Sequence, residues 1–368
     1  MEFFMVEVLN AIAAQIYTLE DQNKWEYNLG DVWDTNSEEV VRFTTEVSTK
    51  FRKNRNKSYG QIEVSNGAAT FSKQLSSFLK DDGAILFSEF VEEYTSKILI
   101  DKAKKKKNKE GSIIAFVHYS EEVNEVIHER VLILMITNTK ALKFDDKETL
   151  TLTAQEVIDL EKFVQGARVE VNEFKDRHIN KNLDEDINEV SFIRGTGDIR
   201  QYFTESLGTL SLLSDKKSSE TATDALQKYF DQKLPFERGM KKTAEENLGR
   251  FYEKNNKDRK VSVEDIQRII NSVVFEDYPH LDNTFVNFVD ENEYKINDFF
   301  VQSKEKNDLL WVEIKTDSFK ASISKNEIGA SGSNKDITFN STLNVLTITQ
   351  NITDDALIKK LKSLTNNE

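Results

Sequence analysis

Two apolar segments, Ser112–Tyr119 (SIIAFVHY) and Glu129–Asn138 (ERVLILMITN), limit what this chain can fold into more than any other feature. Both are rich in Ile, Val and other strand-forming residues, and a short polar segment joins them. The pattern predicts an antiparallel hairpin in the core of a sheet. Upstream, residues 3–19 and Trp25–Val32 read as two further strands and Tyr59–Val64 as a short one. Between them, Asn36 and Ser37 offer caps to a helix (EEVVRFTTEVSTKFRK) in which Val40, Thr44, Val47 and Phe51 recur at helical spacing. Residues 67–79 predict another helix. A third begins at Ala84, with Phe87, Phe90, Val91, Tyr94 and Ile98 on one face.

Beyond the hairpin, residues 154–164 read as a short helix, Ala167–Phe174 as a strand and Lys175–Glu189 as a loop. Ser191–Gly208 reads as a strand end, a Gly-containing turn and a helix. Residues 209–220 read as a linker. Helical stretches follow near 221–232, 241–254 and 262–275. From Leu309 the pattern changes to short strands (LLWVEIK, FKASIS, DITFN, VLTITQ), with a GASGSN loop and a last short helix. The expected class is α+β. A mixed sheet–helix domain over 1–210 is followed by a region over 221–368, helical at first and then a small β-rich part.

Charge is placed unevenly. The 368 residues carry a net charge of −14, yet residues 50–57 hold five basic groups and no acid, and residues 102–109 hold six Lys and no acid. Setting those eleven positive charges aside leaves −25 on the other 352 residues. An acidic body with two basic segments confines any contact with a phosphate backbone to those segments. The first offers Lys50, Arg52, Lys53, Arg55 and Lys57, with Asn54, Asn56 and Tyr59 beside them. The second offers Lys102, Lys104, Lys105, Lys106, Lys107 and Lys109. Lys is a point charge that reads no base sequence, which suits contact with any duplex.

Several chemistries are excluded or weakly represented. Cysteine is absent, so disulfides, a thiolate nucleophile, iron–sulfur clusters and Cys-based zinc sites are impossible. No apolar run approaches the ~18 residues of a membrane span. The first residues lack the basic stretch of a secretory signal, and we expect a cytoplasmic protein. His118, His128, His178 and His280 show no metal-ligand spacing, and His118 reads as a packed or edge residue. Gly195 and Gly197 precede a helix, but Arg200 stands where a dinucleotide fingerprint needs a third glycine. No cofactor or metal is expected. Glu313-Ile314-Lys315, with Asp298 and Asp308 upstream, has the outline of a metal-dependent nuclease core, but three-residue matches of this kind arise often by chance and alternation on a half-buried strand is the simpler reading.

Four segments in colinear order carry a resemblance: NKSYGQI at 56–62, the GSIIAFVHY and VLILMITN pair, EVSFIRGTGDIRQYFTESLG, and the final NVLTITQ strand with its short amphipathic helix. Together they resemble the bacterial nucleoid-associated protein family NdpA, also called YejK-like. The resemblance implies a cytoplasmic, non-enzymatic protein of the nucleoid that binds double-stranded DNA. The family has a denser basic turn where this chain offers Arg194 and Arg200. Two other functions stay open beside it. One is an adaptor whose acidic, Phe-rich segment over 285–300 docks on a DNA-handling enzyme such as a topoisomerase; the other is the nuclease. A homo-oligomer would present the basic segments twice.

Overall fold

Strands β1 (Val6–Leu19), β2 (Lys24–Val32), β3 (Lys57–Ile62), β4 (Ser112–Val123), β5 (Val126–Ile136), β6 (Phe163–Glu170), β7 (Val190–Arg194) and β8 (Thr209–Leu212) form one antiparallel sheet. Its order is β2-β1-β4-β5-β6-β7-β3-β8. This is a computed structural model. It describes residues 6–19, 24–53, 57–64, 67, 70–80, 84–105, 111–136, 163–184, 187–195, 201–254, 260–301, 309–316, 319–349 and 351–365. The predicted hairpin is the centre of the sheet: β4 and β5 pair from Ile113 with Ile136 down to Val123 with Val126. Asn124 and Glu125, at φ 50° and 65°, make its two-residue turn, the conformation whose twist suits a hairpin.

Every residue of β4 from Ser112 to Tyr119 is buried, because helices cover both faces of the sheet. On one face lies α1 (Glu38–Lys53), packing Val40, Phe43, Val47 and Phe51 on Ala115, Val117, Leu134 and Ile193. Ser37 caps it, its hydroxyl accepting from the Val40 amide at 3.2 Å. Glu38 and Glu39 in its first turn and Lys50, Arg52 and Lys53 in its last suit its dipole. The other face is covered by α2 (Phe71–Leu79), α3 (Phe87–Glu93), α4 (Ile100–Lys105) and, after β6, the single turn α5 (Val171–Phe174). A π-helical turn at Tyr94–Leu99 joins α3 to α4. Helix α6 (Gln201–Ser206) completes this layer; its Ser206 hydroxyl lies 2.6 Å from that of Tyr94.

The remaining helices are α7 (Asp215–Lys233), α8 (Arg238–Lys254), α9 (Val263–Val274) and α10 (Phe285–Glu291). The small strands β9 (Trp311–Lys315) and β10 (Lys320–Ser324) form one pair. Strands β11 (Ile328–Ala330), β12 (Ile337–Asn340) and β13 (Val345–Ile348) form a three-stranded sheet, and α11 (Asp355–Thr365) follows. The α+β class holds. The chain divides into two compact units, residues 1–236 with 260–302, and residues 237–259 with 303–368. The division therefore runs elsewhere than 210–221. Helices α7, α9 and α10 belong with the large sheet, and only α8 of the helical middle joins the small strands.

Local differences have local causes. Residues 209–220 are no linker: they form edge strand β8 and the start of α7, capped by Ser214. The loop expected at 175–189 begins with a π-helical turn, Lys175–Ile179, that stacks His178 on Phe174 at 4.2 Å. The helix expected at 154–164 lies outside the described residues up to 162, and Phe163 already begins β6.

At Gly166 the Phe51 ring of α1 packs directly on the sheet. A Cβ there would lie 3.0 Å from the Phe51 ring and 3.1 Å from Leu134. We expect Gly166→Val to lower unfolding stability by about 1–3 kcal/mol, read by urea denaturation, because the added side chain overpacks the buried Phe51 ring and Leu134.

Candidate nucleic-acid interface

The basic segments meet the sheet at one end. Register makes this explicit: Lys57 opens β3 opposite Ile193 of β7, whose last residue is Arg194, opposite Gln165 of β6. Strand β4 opens at Ser112 at that same end, seven residues after Lys105, the last described residue of the Lys run. Phe51, two residues before Lys53, sits on Gly166 beside the Gln165–Arg194 pair. Helix α4, with Lys102, Lys104 and Lys105, packs beside α6, which begins at Gln201, seven residues after Arg194. Helices α1 and α4 lie on opposite faces, so their basic ends flank the sheet end from both sides. Four strand steps separate β4 from β3, about 19 Å. A small recess at this end is lined by Ser58, Gln165, Arg194 and Thr204.

The members of the set are not equivalent. Lys53, Lys104, Lys105 and Arg194 are exposed, and Lys50 and Lys102 half-buried. Lys105 also pairs with Asp101 at 2.7 Å, on the same exposed helix. Two members are turned inward. The Arg52 side chain is 6% exposed and pairs with Glu121 at 3.3 Å. The Lys57 ammonium donates to the Arg52 carbonyl at 2.8 Å and faces Asp290 at 3.8 Å. Its amide donates to Asp298. Both cations serve the interior, so neither is presented to an outside phosphate. Tyr59 is buried, its amide donating to Asn297 at 3.0 Å. Arg55, Lys106, Lys107, Lys109 and Arg200, with Asn54 and Asn56, lie outside the described residues.

Arg52 belongs to a buried cluster that alternates three guanidiniums with three carboxylates. Glu121 of β4 accepts from the Ser48 hydroxyl at 2.6 Å and pairs with both Arg52 and the fully buried Arg130 of β5. Arg130 continues to Glu170 at 2.9 Å and to Glu293. Arg168 of β6 closes the cluster, 3.2 Å from Glu170 and 3.4 Å from Glu293, with its guanidinium over the Phe51 ring. Glu293 holds the left-handed conformation, φ 49°, which a non-glycine residue adopts at a cost. Burial opposes its charge, but Arg168 and Arg130 outweigh that and bring its carboxyl down to about 2. Glu170 is likewise lowered, burial being overcome by the same two arginines.

The opposite end of the sheet is acidic. Glu122 and Glu125 at the β4–β5 turn, Glu7 of β1 and Glu291 are all exposed there, and Asn124 donates to the Glu291 carbonyl at 3.0 Å. His118 is 7% exposed, between Phe78 and Phe87, within 3.1 Å of Asn10 and 2.7 Å of Glu129. It is packed, and its hydrogen bond holds the Glu129 carboxyl below the usual range.

Other candidate residues find ordinary partners. Phe285, Phe288 and Phe300 of the Phe-rich segment are buried, two of them edge-on to Tyr229, while Phe299 is exposed. Phe285, Phe288 and Phe300 are therefore core and offer no surface to a partner. Asp298 bonds to the Lys57 amide, Glu313 pairs with Lys320 at 3.3 Å, and Asp308 lies outside the described residues. Among the described residues no group of three His, Asp or Glu could hold a metal, and no helix is long and apolar enough to cross a membrane.

The sheet is thus antiparallel and sandwiched between helices, with exposed basic residues gathered at one end and exposed acids at the other. A family model described as nucleoid-associated protein YejK matches residues 21–361. The chain belongs to this family. No curated protein matches it.

Removing one partner from the buried cluster strands the others. Arg130→Met should cost about 3–5 kcal/mol of unfolding free energy. Glu293 sits below its unfolded value of 4.5, so it stabilises the fold above that pH, and this contribution is lost as pH falls towards 2. In urea titrations, the stability gap between wild type and Glu293→Gln should therefore be full at neutral pH and narrow through that window. A constant gap would contradict the assignment.

Proposed function

We propose that this protein binds double-stranded DNA of the nucleoid through the basic end of its large sheet, without enzymatic chemistry and with little sequence preference. The observation that carries this reading is topological. The chain enters β3 and β4 and leaves β7 at one end, and each crossing is flanked by basic residues: Lys50 and Lys53, Lys102, Lys104 and Lys105, and Arg194. A spread of about 19 Å exceeds the ~12 Å width of the major groove, so the two sides can reach phosphates on both of its banks.

Lys predominates in this set, and it contributes charge without a fixed fork of donors. Such contacts position a duplex and carry no base information. The acidic far end, with Glu7, Glu122, Glu125 and Glu291, repels the same polyanion and fixes which end approaches. Membership of the nucleoid-associated family agrees with this target.

Salt dependence tests the reading. Binding of a duplex of arbitrary sequence should weaken steeply with salt, the slope of log K against log salt changing by about 0.9 per phosphate contact. The triple variant Lys53→Gln, Lys104→Gln, Lys105→Gln should flatten that slope by about 2 to 3 and weaken binding to all sequences alike. An unchanged slope would place the interface elsewhere.

A further inference from the structure

Strand β5 outruns its neighbour at the acidic end of the large sheet. It starts at Val126, but β6 ends at Glu170, opposite Arg130. Val126 to Glu129 therefore project past β6, with one edge unpaired among the described residues. The hairpin fixes which groups point there. Val123 and Val126 flank the two-residue turn and bond to each other across it. Alternate residues then turn the other way, so Ile127 and Glu129 direct their backbone N–H and C=O groups to the open edge. The side chains are bare as well: Val126 is 55% and Ile127 68% exposed. Successive side chains point to opposite faces, so each face of the projecting tip carries one exposed aliphatic group. Lysine, proline or a bulge ordinarily guards such an edge, and Val126–Glu129 has none of them.

Charge at the tip has one sign. Glu122 lies opposite Ile127, Glu125 is in the turn, and Asn124 holds Glu291 beside them through its carbonyl at 3.0 Å. All three acids are exposed. The chain has no Lys or Arg over 110–129 or 269–294, the stretches that contain them. Lys175, near the same strand, already faces Glu129 at 3.8 Å. We propose that the projecting end of β5 takes an extended Lys- or Arg-rich segment of another protein as an added strand. Main-chain bonds to Ile127 and Glu129 hold the segment, its aliphatic side chains cover Val126 and Ile127, and its cations meet Glu122, Glu125 and Glu291. The acids turn a nucleic acid away from this end, so the occupant is a cationic polypeptide.

Fluorescence anisotropy with the full chain and a short labelled peptide of alternating Lys and Val is the test. The peptide should bind wild type. The variant Glu122→Gln with Glu125→Gln should bind it about tenfold more weakly. Ile127→Pro removes one outward N–H, leaves the bonds of the turn in place, and should weaken binding by about as much. The same peptide N-methylated throughout keeps its charge and loses its donors, and wild type should bind it about tenfold more weakly. That comparison uses wild-type protein and stands even if a variant fails to fold. No binding of the peptide, equal binding of its methylated form, or equal binding by both folded variants would overturn the proposal. So would displacement of the peptide by excess unlabelled Ile127→Pro protein, whose basic segments are intact, because the occupant would then be a second copy. The assay contains no DNA, so none of these outcomes bears on the salt slope of the basic end.

Discussion

Six charges buried against one face of the large sheet govern how the rest of the first unit is arranged. Arg52, Arg130 and Arg168 alternate with Glu121, Glu170 and Glu293, and the set is neutral. They come from five places: the end of α1, strands β4, β5 and β6, the last giving both Arg168 and Glu170, and the turn after α10. Desolvating such groups is costly, and a well-packed apolar cluster of the same volume could be as stable. What the charged set adds is definition. Arg130 finds its partners only when β4, β6 and the turn after α10 are all in register, so the cluster ties the late segment of the chain to a sheet formed by the early one.

That constraint changes how the net charge is understood. Arg52 and Lys57 belong to the most basic stretch of the sequence, yet both are consumed by internal carboxylates and carbonyls. The outward field comes from their neighbours, and its direction comes from the strands. Because β3 and β4 begin at the end where β7 stops, basic residues far apart in sequence gather there, while the β4–β5 turn collects acids at the other end. A chain of net charge −14 thereby acquires a basic pole.

Much of this was legible in the residues, and the reasons are specific. The β4–β5 hairpin announced itself because both strands are covered on both faces and so read as unbroken apolar runs. Helix α1 was equally plain, since it covers one face with a clean stripe. Strand β8 was missed because Thr209–Leu212 is a short edge strand in a polar setting. The buried cluster was missed because a lone Arg130 or Arg168 in a strand looks like surface alternation until its partners are placed. The signal was present in ERVLILMI and GARVEV, where a charge interrupts a segment otherwise built for burial. The Phe-rich segment allowed both a core and a docking surface, and Phe285, Phe288 and Phe300 pack inside.

The central claim is that duplex DNA meets one end of the large sheet. Amine-reactive footprinting of the intact protein, with and without DNA, tests it most directly. The account predicts that Lys53, Lys102, Lys104 and Lys105 lose reactivity together when duplex is added, while Lys359, Lys360 and Lys362 of α11 keep theirs. Protection of the α11 lysines with none at the sheet end would contradict it.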